Sequence, residues 1–186
     1  GLAQGKGVVV ATTLAEAKKA VTDLLEQHML GPSGSTIMIE EFVAGNELSV
    51  MALTDGNTVT PLLASRDYKR IFDHDQGKNT GGMGSFSPVN SVNIALMNRI
   101  LTEILQPTVD TLASLGSPYR GLLYAGIMLT PDGPKALECN ARFGDPETQV
   151  VLPLLKTDLV DLLDAVVTHQ LDTIPPIEWH EGAAVC

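Results

Sequence analysis

Leu137-Glu138-Cys139-Asn140-Ala141-Arg142-Phe143-Gly144-Asp145-Pro146-Glu147 carries the most specific local chemistry of the chain. Upstream, Gly121–Thr130 and Lys135–Asn140 flank Pro131-Asp132-Gly133, which predicts a β-hairpin with Glu138 and Asn140 on its second strand. Residues two apart on a strand face the same way. Glu138 and Asn140 therefore present two oxygen donors side by side, while Leu137 and Cys139 are expected to face the opposite layer. Few, hard oxygen donors suit Mg²⁺, which keeps waters and phosphate oxygens in its shell. Arg142 follows at once with a charge that can neutralise a transferring phosphoryl group. The plainer alternative is an edge strand with its polar residues outward, and Glu-x-Asn-x-Arg in one row weighs against it.

Working outward, Asn79-Thr80-Gly81-Gly82-Met83-Gly84 has three glycines in four positions, which lets backbone approach a ligand closely. Just before it, Arg66-Asp67-Tyr68-Lys69-Arg70 packs three cations into five positions. Cations ahead of a glycine-rich loop favour an anionic substrate over a merely solvated charge run. The whole stretch from Ala64 to Asn90 shows neither helical nor strand periodicity and reads as a long functional loop. At the start, Gly1-Leu-Ala-Gln-Gly-Lys-Gly7 is either a phosphate-binding loop with Lys6 adding charge or a flexible turn. It is not a Walker A motif, because Gly7 stands where Ser or Thr is required. Glu40 and Glu41 end an apolar run and Glu47 follows. Singly they read as solvated acids, and together as acceptors for amino and hydroxyl groups at a strand end.

The remaining organisation is that of a mixed domain. Val8–Ala11, Thr36–Phe42, Glu47–Thr54 and Thr58–Leu63 read as strands, with Asp55-Gly56 as a turn. Thr13 and Glu16 fit a capping box ahead of a helix that would bury Leu14, Ala17, Val21, Leu24 and Leu25. Helical spacing returns over Asn93–Leu115, bent or split at Pro107, and again at Leu159, Leu162, Leu163 and Val166. Pro175-Pro176 reads as a linker.

Composition narrows the class. The 186 residues are 44% hydrophobic and 18% charged, which is ample for a buried core. Lys+Arg is 12 against 22 Asp+Glu, a net charge of −10, and aromatic residues are only 4%. That balance argues against a nucleic-acid partner. Cys139 and Cys186 belong to no metal pattern and read as reduced thiols of a cytoplasmic protein. No apolar run approaches the roughly 18 residues of a membrane span. The opening inside a glycine-rich loop reads as that of a piece excised from a longer protein.

Taken in order, GLAQGKGVVVA, IEEFVAGNELS, DYKRIFDHDQGKNTGGMGSFSP, LLYAGIML and ECNARFGDPETQ resemble the glycinamide ribonucleotide synthetases, which are phosphoribosylamine–glycine ligases of the ATP-grasp superfamily. The resemblance implies an α+β ATP-grasp fold, two α+β lobes enclosing a nucleotide cleft, incomplete at both ends. Residues 1–63 would be part of the small lobe, 64–174 the large lobe, and 175–186 the start of a truncated C-terminal domain. It implies ATP and Mg²⁺ (or Mn²⁺) as cofactors, with glycine and 5-phosphoribosylamine as partners in de novo purine synthesis. Glycine's carboxylate would attack the γ-phosphate, and the amine of 5-phosphoribosylamine would attack the resulting acyl phosphate.

Residue by residue, the resemblance makes Glu40 the acceptor for the adenine amino group. Glu41 and Val43 become backbone contacts to the ring, Glu47 the ribose ligand, and Glu138 and Asn140 the metal ligands. Arg142 and Asp145, with Asn79, Thr80, Gly81, Gly82 and Gly84, would line the transferred phosphoryl group and substrates, and Lys6 would cover the phosphates. Tyr68 and Lys78 depart from the His and Pro more often expected there. The family's phosphate-binding lysine and N-terminal domain lie upstream of Gly1, so the piece alone is expected to lack activity. The rivals are another ATP-grasp carboxylate–amine ligase, which should not carry NTGGMG together with RFGDPE, and a non-catalytic nucleotide-binding module, which should lose the Glu138–Asn140 pair.

Overall fold

Asn46–Thr54 (β1) alternates Leu48, Val50 and Ala52 with Ser49, Met51 and Leu53, and all of them are buried. A strand buried on both faces must lie between two cores. In the computed structural model, which describes residues 7–74 and 76–186 and leaves out the side chains of residues 78 and 79, β1 does so. Leu48, Val50 and Ala52 pack with Ile100, Ile104, Leu105 and Val109. Met51 and Leu53 pack on the other side with Val150, Val151, Leu162, Ala165 and Val166.

The chain divides into two compact units, residues 1–43 with 70–81 and residues 44–69 with 82–186. In the second unit, β1 is followed by Val59–Pro61 (β2), reached through the Asp55-Gly56 turn. There the Asp55 carboxylate accepts from the backbone N–H of Asn57 at 3.0 Å and of Thr58 at 2.8 Å. Gly121–Thr130 (β5) and Gly133–Asn140 (β6) form the expected hairpin, and the antiparallel sheet runs in the order β2-β1-β5-β6. Its hairpin ladder is irregular: Gly126 faces Glu138, whereas Ile127 faces Ala136, so Leu137 is an extra residue on β6.

The helices follow their chemistry. Asn93 caps Ile94–Ile100 (α2), its side chain accepting from Leu96 N–H at 2.8 Å. A π-helical turn at Leu101–Leu105 then opens the ladder before Gln106–Ser114 (α3), where Pro107 has no N–H to give. Thr148–Val151 (α4) and Leu159–Thr168 (α5) cover the second core. Leu162 and Val166 are buried as the spacing predicts, and Leu163 turns outward. No helix among the described residues is long and apolar enough to cross a membrane.

Several expectations are corrected. Residues 64–90 are no loop: Arg66–Phe72 (β3) and Gln76–Ser87 (β4) are strands of a second sheet, ordered β3-β4-β7 with Ala184–Val185 (β7). β3 hides its strand character because it buries Asp67 rather than an aliphatic residue, and β4 because glycines occupy it. Both strands run through both units. In the first unit, Val8–Ala11 and Thr36–Phe42 are not strands. Apolar runs need a hydrogen-bonded neighbour to form a ladder, and Val8, Val9, Met38, Ile39 and Phe42 are all exposed. Leu14–Val21 (α1) is capped as expected, Thr13 Oγ1 accepting from Glu16 N–H at 3.2 Å. Its anticipated core face is absent: α1 buries no residue, and the chain passes into a π-helical turn at Thr22–Glu26.

The close pairing of β1 with β5 leaves no room beside Gly45, where a Cβ would run into the backbone carbonyl of Leu129. Gly45→Ala is therefore expected to destabilise the protein by about 1–3 kcal/mol in urea denaturation. Gly81→Ala, which meets nothing within 4 Å, should stay within about 0.5 kcal/mol of the parent. Equal effects of the two would show that the β1–β5 approach is looser than described.

Candidate functional site

The sheet register lays out rows of side chains on the face that carries Met51 and Leu53. Ser49 on β1 lies opposite Gly126 on β5, which lies opposite Glu138 on β6. Met51, Tyr124 and Asn140 form the next row. Toward one end this face is apolar, and toward the other it becomes polar. The extra residue Leu137 makes this possible. Without it, Leu137 and Cys139 would occupy the positions that Glu138 and Asn140 hold, since a one-residue slip exchanges the faces of a strand. Gly126 completes the arrangement: a Cβ there would stand 3.1 Å from Glu138 Cγ, so the glutamate side chain crosses the sheet where β5 offers no side chain.

β3 joins this face through a bridge between Ser49 and Ser65, bringing Asp67 and Lys69 beside β1. Lys69 pairs with Glu47 and lies 4.0 Å from Asp67. Ser49 Oγ contacts Asp67 Oδ1 at 3.3 Å, Tyr124 Oη at 2.9 Å and Glu147 Oε1 at 3.2 Å. Tyr124 donates to Glu147 Oε1 at 2.8 Å. Ser49, Asp67, Tyr124 and Glu147 are all buried.

Burial dominates the electrostatics. It pushes the Asp67 carboxyl above its ordinary range. The charges of Glu147 and Glu47 act in the same direction, while Lys69 and Ser49 oppose them. Burial and the Glu147 charge likewise push the Tyr124 phenol up, so the hydroxyl stays protonated as a donor. Burial works against the Lys69 ammonium, but the Glu47 hydrogen bond and the charges of Glu47, Asp67 and Glu138 outweigh it and raise its pKa. Lys69 is thus a fixed cation on the face that holds Glu138.

The donor chemistry of this face fits a hard divalent ion that arrives with its own oxygens. Asn140 Nδ2 is buried without a hydrogen-bond partner, so the amide is not committed to the protein. A half-turn of the amide exchanges Nδ2 for the carbonyl oxygen. Among the described residues no group of three or more His, Cys, Asp or Glu is arranged to hold an ion unaided. Two protein oxygens supplemented by phosphate and water match the habit of Mg²⁺.

The second unit brings several expected residues together. Glu47, Glu138 and Asn140 share the sheet face, and the turn after β6 carries Arg142 and Asp145. The Arg142 guanidinium lies over the Tyr124 ring, 5.8 Å from its centroid, and Asp145 Oδ1 accepts from Gln149 Nε2 at 2.7 Å. Gly82, at φ +132°, abuts Pro146 and the Asp145 carbonyl, so no side chain is tolerated there. Gly84 runs beside Cys186, whose carbonyl and N–H pair with Ser85. The first unit holds Glu40 and Glu41, exposed and outside any helix or strand, half-buried Val43, and Thr80 and Gly81 on β4. Lys6 and the Asn79 side chain lie outside the described residues. Cys139 lies opposite Ala125, on the face away from Glu138 and Asn140, while Leu137, the extra residue, has no cross-strand partner. Neither meets a covering layer, and Leu137, Glu138 and Cys139 are all exposed.

Sequence reasoning missed Ser49 and Tyr124. The signal for Ser49 was a lone hydroxyl inside the apolar run of β1. Tyr124 is a core residue by burial, with its hydroxyl turned to Ser49 and Glu147.

The shift at Asp67 has a definite sign. A raised carboxyl pKa favours the protonated folded form. Its stabilising effect is therefore present below the ordinary value of 3.8 and is lost as pH rises through the folded value. Asp67→Asn should gain stability relative to the parent between about pH 3.5 and pH 7 in chemical denaturation. A difference independent of pH would contradict the burial of this charge.

The sequence matches the family described as phosphoribosylglycinamide synthetase, ATP-grasp (A) domain, over residues 1–148. It is 51% identical over 187 residues to a phosphoribosylamine–glycine ligase of Synechocystis sp., covering 100% of this chain and 43% of that protein. It is 49% identical over 182 residues to the trifunctional purine biosynthetic protein adenosine-3 of Homo sapiens, covering 98% of this chain and 18% of that protein. The chain thus spans less than half the length of these relatives. Among solved structures, a phosphoribosylamine–glycine ligase from Thermotoga maritima superposes with a TM-score of 0.85 at 37% identity, covering 100% of this chain and 46% of that one. A biotin carboxylase from Campylobacter jejuni, with a TM-score of 0.67 at 14% identity, shares the fold alone. The mixed α+β architecture is that of an ATP-grasp protein, and the chain belongs to the phosphoribosylglycinamide synthetase ATP-grasp (A) domain family.

Proposed function

We propose that the complete gene product joins glycine to 5-phosphoribosylamine with the cleavage of ATP. Glycine's carboxylate oxygen attacks the γ-phosphorus, and ADP leaves. The amine of 5-phosphoribosylamine then attacks the carbonyl of glycyl phosphate, expelling inorganic phosphate and a proton to give glycinamide ribonucleotide. The observation that carries this reading is the polar sheet face, where two uncommitted oxygen donors stand beside a fixed lysine and the arginine-bearing turn, in a chain of this family.

The roles follow from the chemistry of each group. Glu138 and Asn140 would hold Mg²⁺ (or Mn²⁺) through oxygen, and an ion held there would offset phosphate charge. Lys69 and Arg142 face the charge that develops on the transferring phosphoryl group. Lys69 engages Oε1 of Glu47, so a ribose hydroxyl is offered Oε2. Asp145, with the chain from Asn79 through Thr80, Gly81 and Gly82 to Gly84, lines the acceptor side, where Gly82 permits backbone contact. Glu40 accepts from the adenine amino group, Glu41 and Val43 meet the ring through backbone, and Lys6 covers the phosphates.

Glu138→Ala and Cys139→Ala separate this reading from a structural one. In the complete gene product Glu138→Ala should lower Mg²⁺-dependent formation of glycinamide ribonucleotide about 100-fold or more, while Cys139→Ala stays near the parent. Gly126→Ala, which crowds a flexible Glu138 side chain rather than backbone, should leave stability within about 0.5 kcal/mol yet raise the Mg²⁺ concentration needed for half-maximal rate. Equal losses in the Glu138 and Cys139 variants would overturn the assignment of the face.

A further inference from the structure

The turn that carries Arg142 and Asp145 is built around one side chain. Tyr124 touches it at three points: the Arg142 guanidinium lies over its ring face at 5.8 Å, Gly144 lies against its edge, and Glu147 accepts from its hydroxyl at 2.8 Å. At Gly144 a Cβ would stand 3.0 Å from Tyr124 Cε2 and 2.5 Å from Glu147 Oε2, so a side chain there would displace the carboxylate that accepts from Tyr124. The Gly144 N–H also reaches Met51 Sδ at 3.4 Å. Tyr124 is 3% exposed, and its hydroxyl is held from the other side by Ser49. By register the same residue lies opposite Asn140. One buried ring is therefore flanked by Asn140 across the sheet and by the turn that bears Arg142.

We infer that Tyr124 is a positioning residue for the ligase chemistry, its ring serving as the platform that aims the exposed Arg142 guanidinium and its hydroxyl, tied to Glu147 and Ser49, locking that platform in place. The inference rests on the reading of Arg142 given above. At 5.8 Å the contact is that of a cation over an aromatic face, and the guanidinium also donates through Nη1 to the Phe143 carbonyl at 2.9 Å, a fork that a lysine ammonium does not reproduce. The hydroxyl does no chemistry on the substrate in this account. It fixes the ring, and the ring fixes the arginine.

The test combines kinetics with a signature of the contact itself, in the complete gene product. Arg142→Ala alone tests the underlying reading and should lower kcat. Tyr124→Leu should lower kcat about 100-fold, the scale of a misplaced catalytic group, with little change in KM for ATP. The double variant should be no slower than Arg142→Ala alone, because both changes remove one function. Tyr124→Phe keeps the platform and should retain most of kcat while melting earlier, since the Glu147 carboxylate loses a donor. Arg142→Lys keeps the charge without the fork and should resemble Tyr124→Leu, which keeps the test open if the leucine variant folds poorly. In the NMR spectrum, the Arg142 side-chain Nε–H proton should carry a ring-current shift that survives in Tyr124→Phe. Multiplying losses in the double variant, full activity of Arg142→Lys, or the absence of that shift would overturn the inference while leaving the arginine's role standing. An unchanged kcat in Arg142→Ala would remove both.

Discussion

Between the pairs Gly126–Glu138 and Ile127–Ala136 the β5–β6 ladder gains one residue, and beyond that point the two faces of β6 exchange places. The rest of the site depends on this. Strand alternation alone puts Glu138 and Asn140 on the same side but does not say which side. The bulge commits them to the face shared with Ser49 and Tyr124, and it leaves Cys139 on the opposite one. Gly126 adds the space for Glu138 to lie across the sheet.

A polar face in the middle of a two-layered core is costly, and the structure meets that cost locally. Asp67, Glu147, Ser49 and Tyr124 are buried together and linked by hydrogen bonds. Unpaired groups at these positions would each cost about 1–3 kcal/mol. Apolar packing surrounds this network on both sides of β1, and a well-packed scaffold is what the proposed phosphoryl transfer needs. The exception is Asn140 Nδ2, buried and without a partner, where the protein leaves a polar group for something else to satisfy.

Much of this was legible in the residues. The β5–β6 hairpin, the pairing of Glu138 with Asn140 and the break at Pro107 follow from turn chemistry, strand alternation and the missing proline N–H. β3 and β4 were not legible, because a strand that buries Asp67, and another built from glycines, breaks the apolar alternation from which strands are read. Val8–Ala11 and Thr36–Phe42 failed in the opposite way: their composition suits strands, but composition supplies no hydrogen-bonding neighbour. The bulge at Leu137 was invisible to spacing, since a one-residue register shift leaves no mark on the local sequence. Tyr124 was hidden because its ring belongs to the core while its hydroxyl and ring face serve the site.

The account stands or falls on which oxygens a metal ion finds. Crystals of the complete gene product grown with an unreactive ATP analogue and Mn²⁺ would place the ion directly by its anomalous scattering. The account predicts a single strong peak within about 2.1 Å, the distance of a hard six-coordinate cation, of both a Glu138 carboxylate oxygen and the Asn140 amide oxygen, with phosphate oxygens completing the shell. An ion bound to the nucleotide without either residue, or on the face of Cys139, would contradict it.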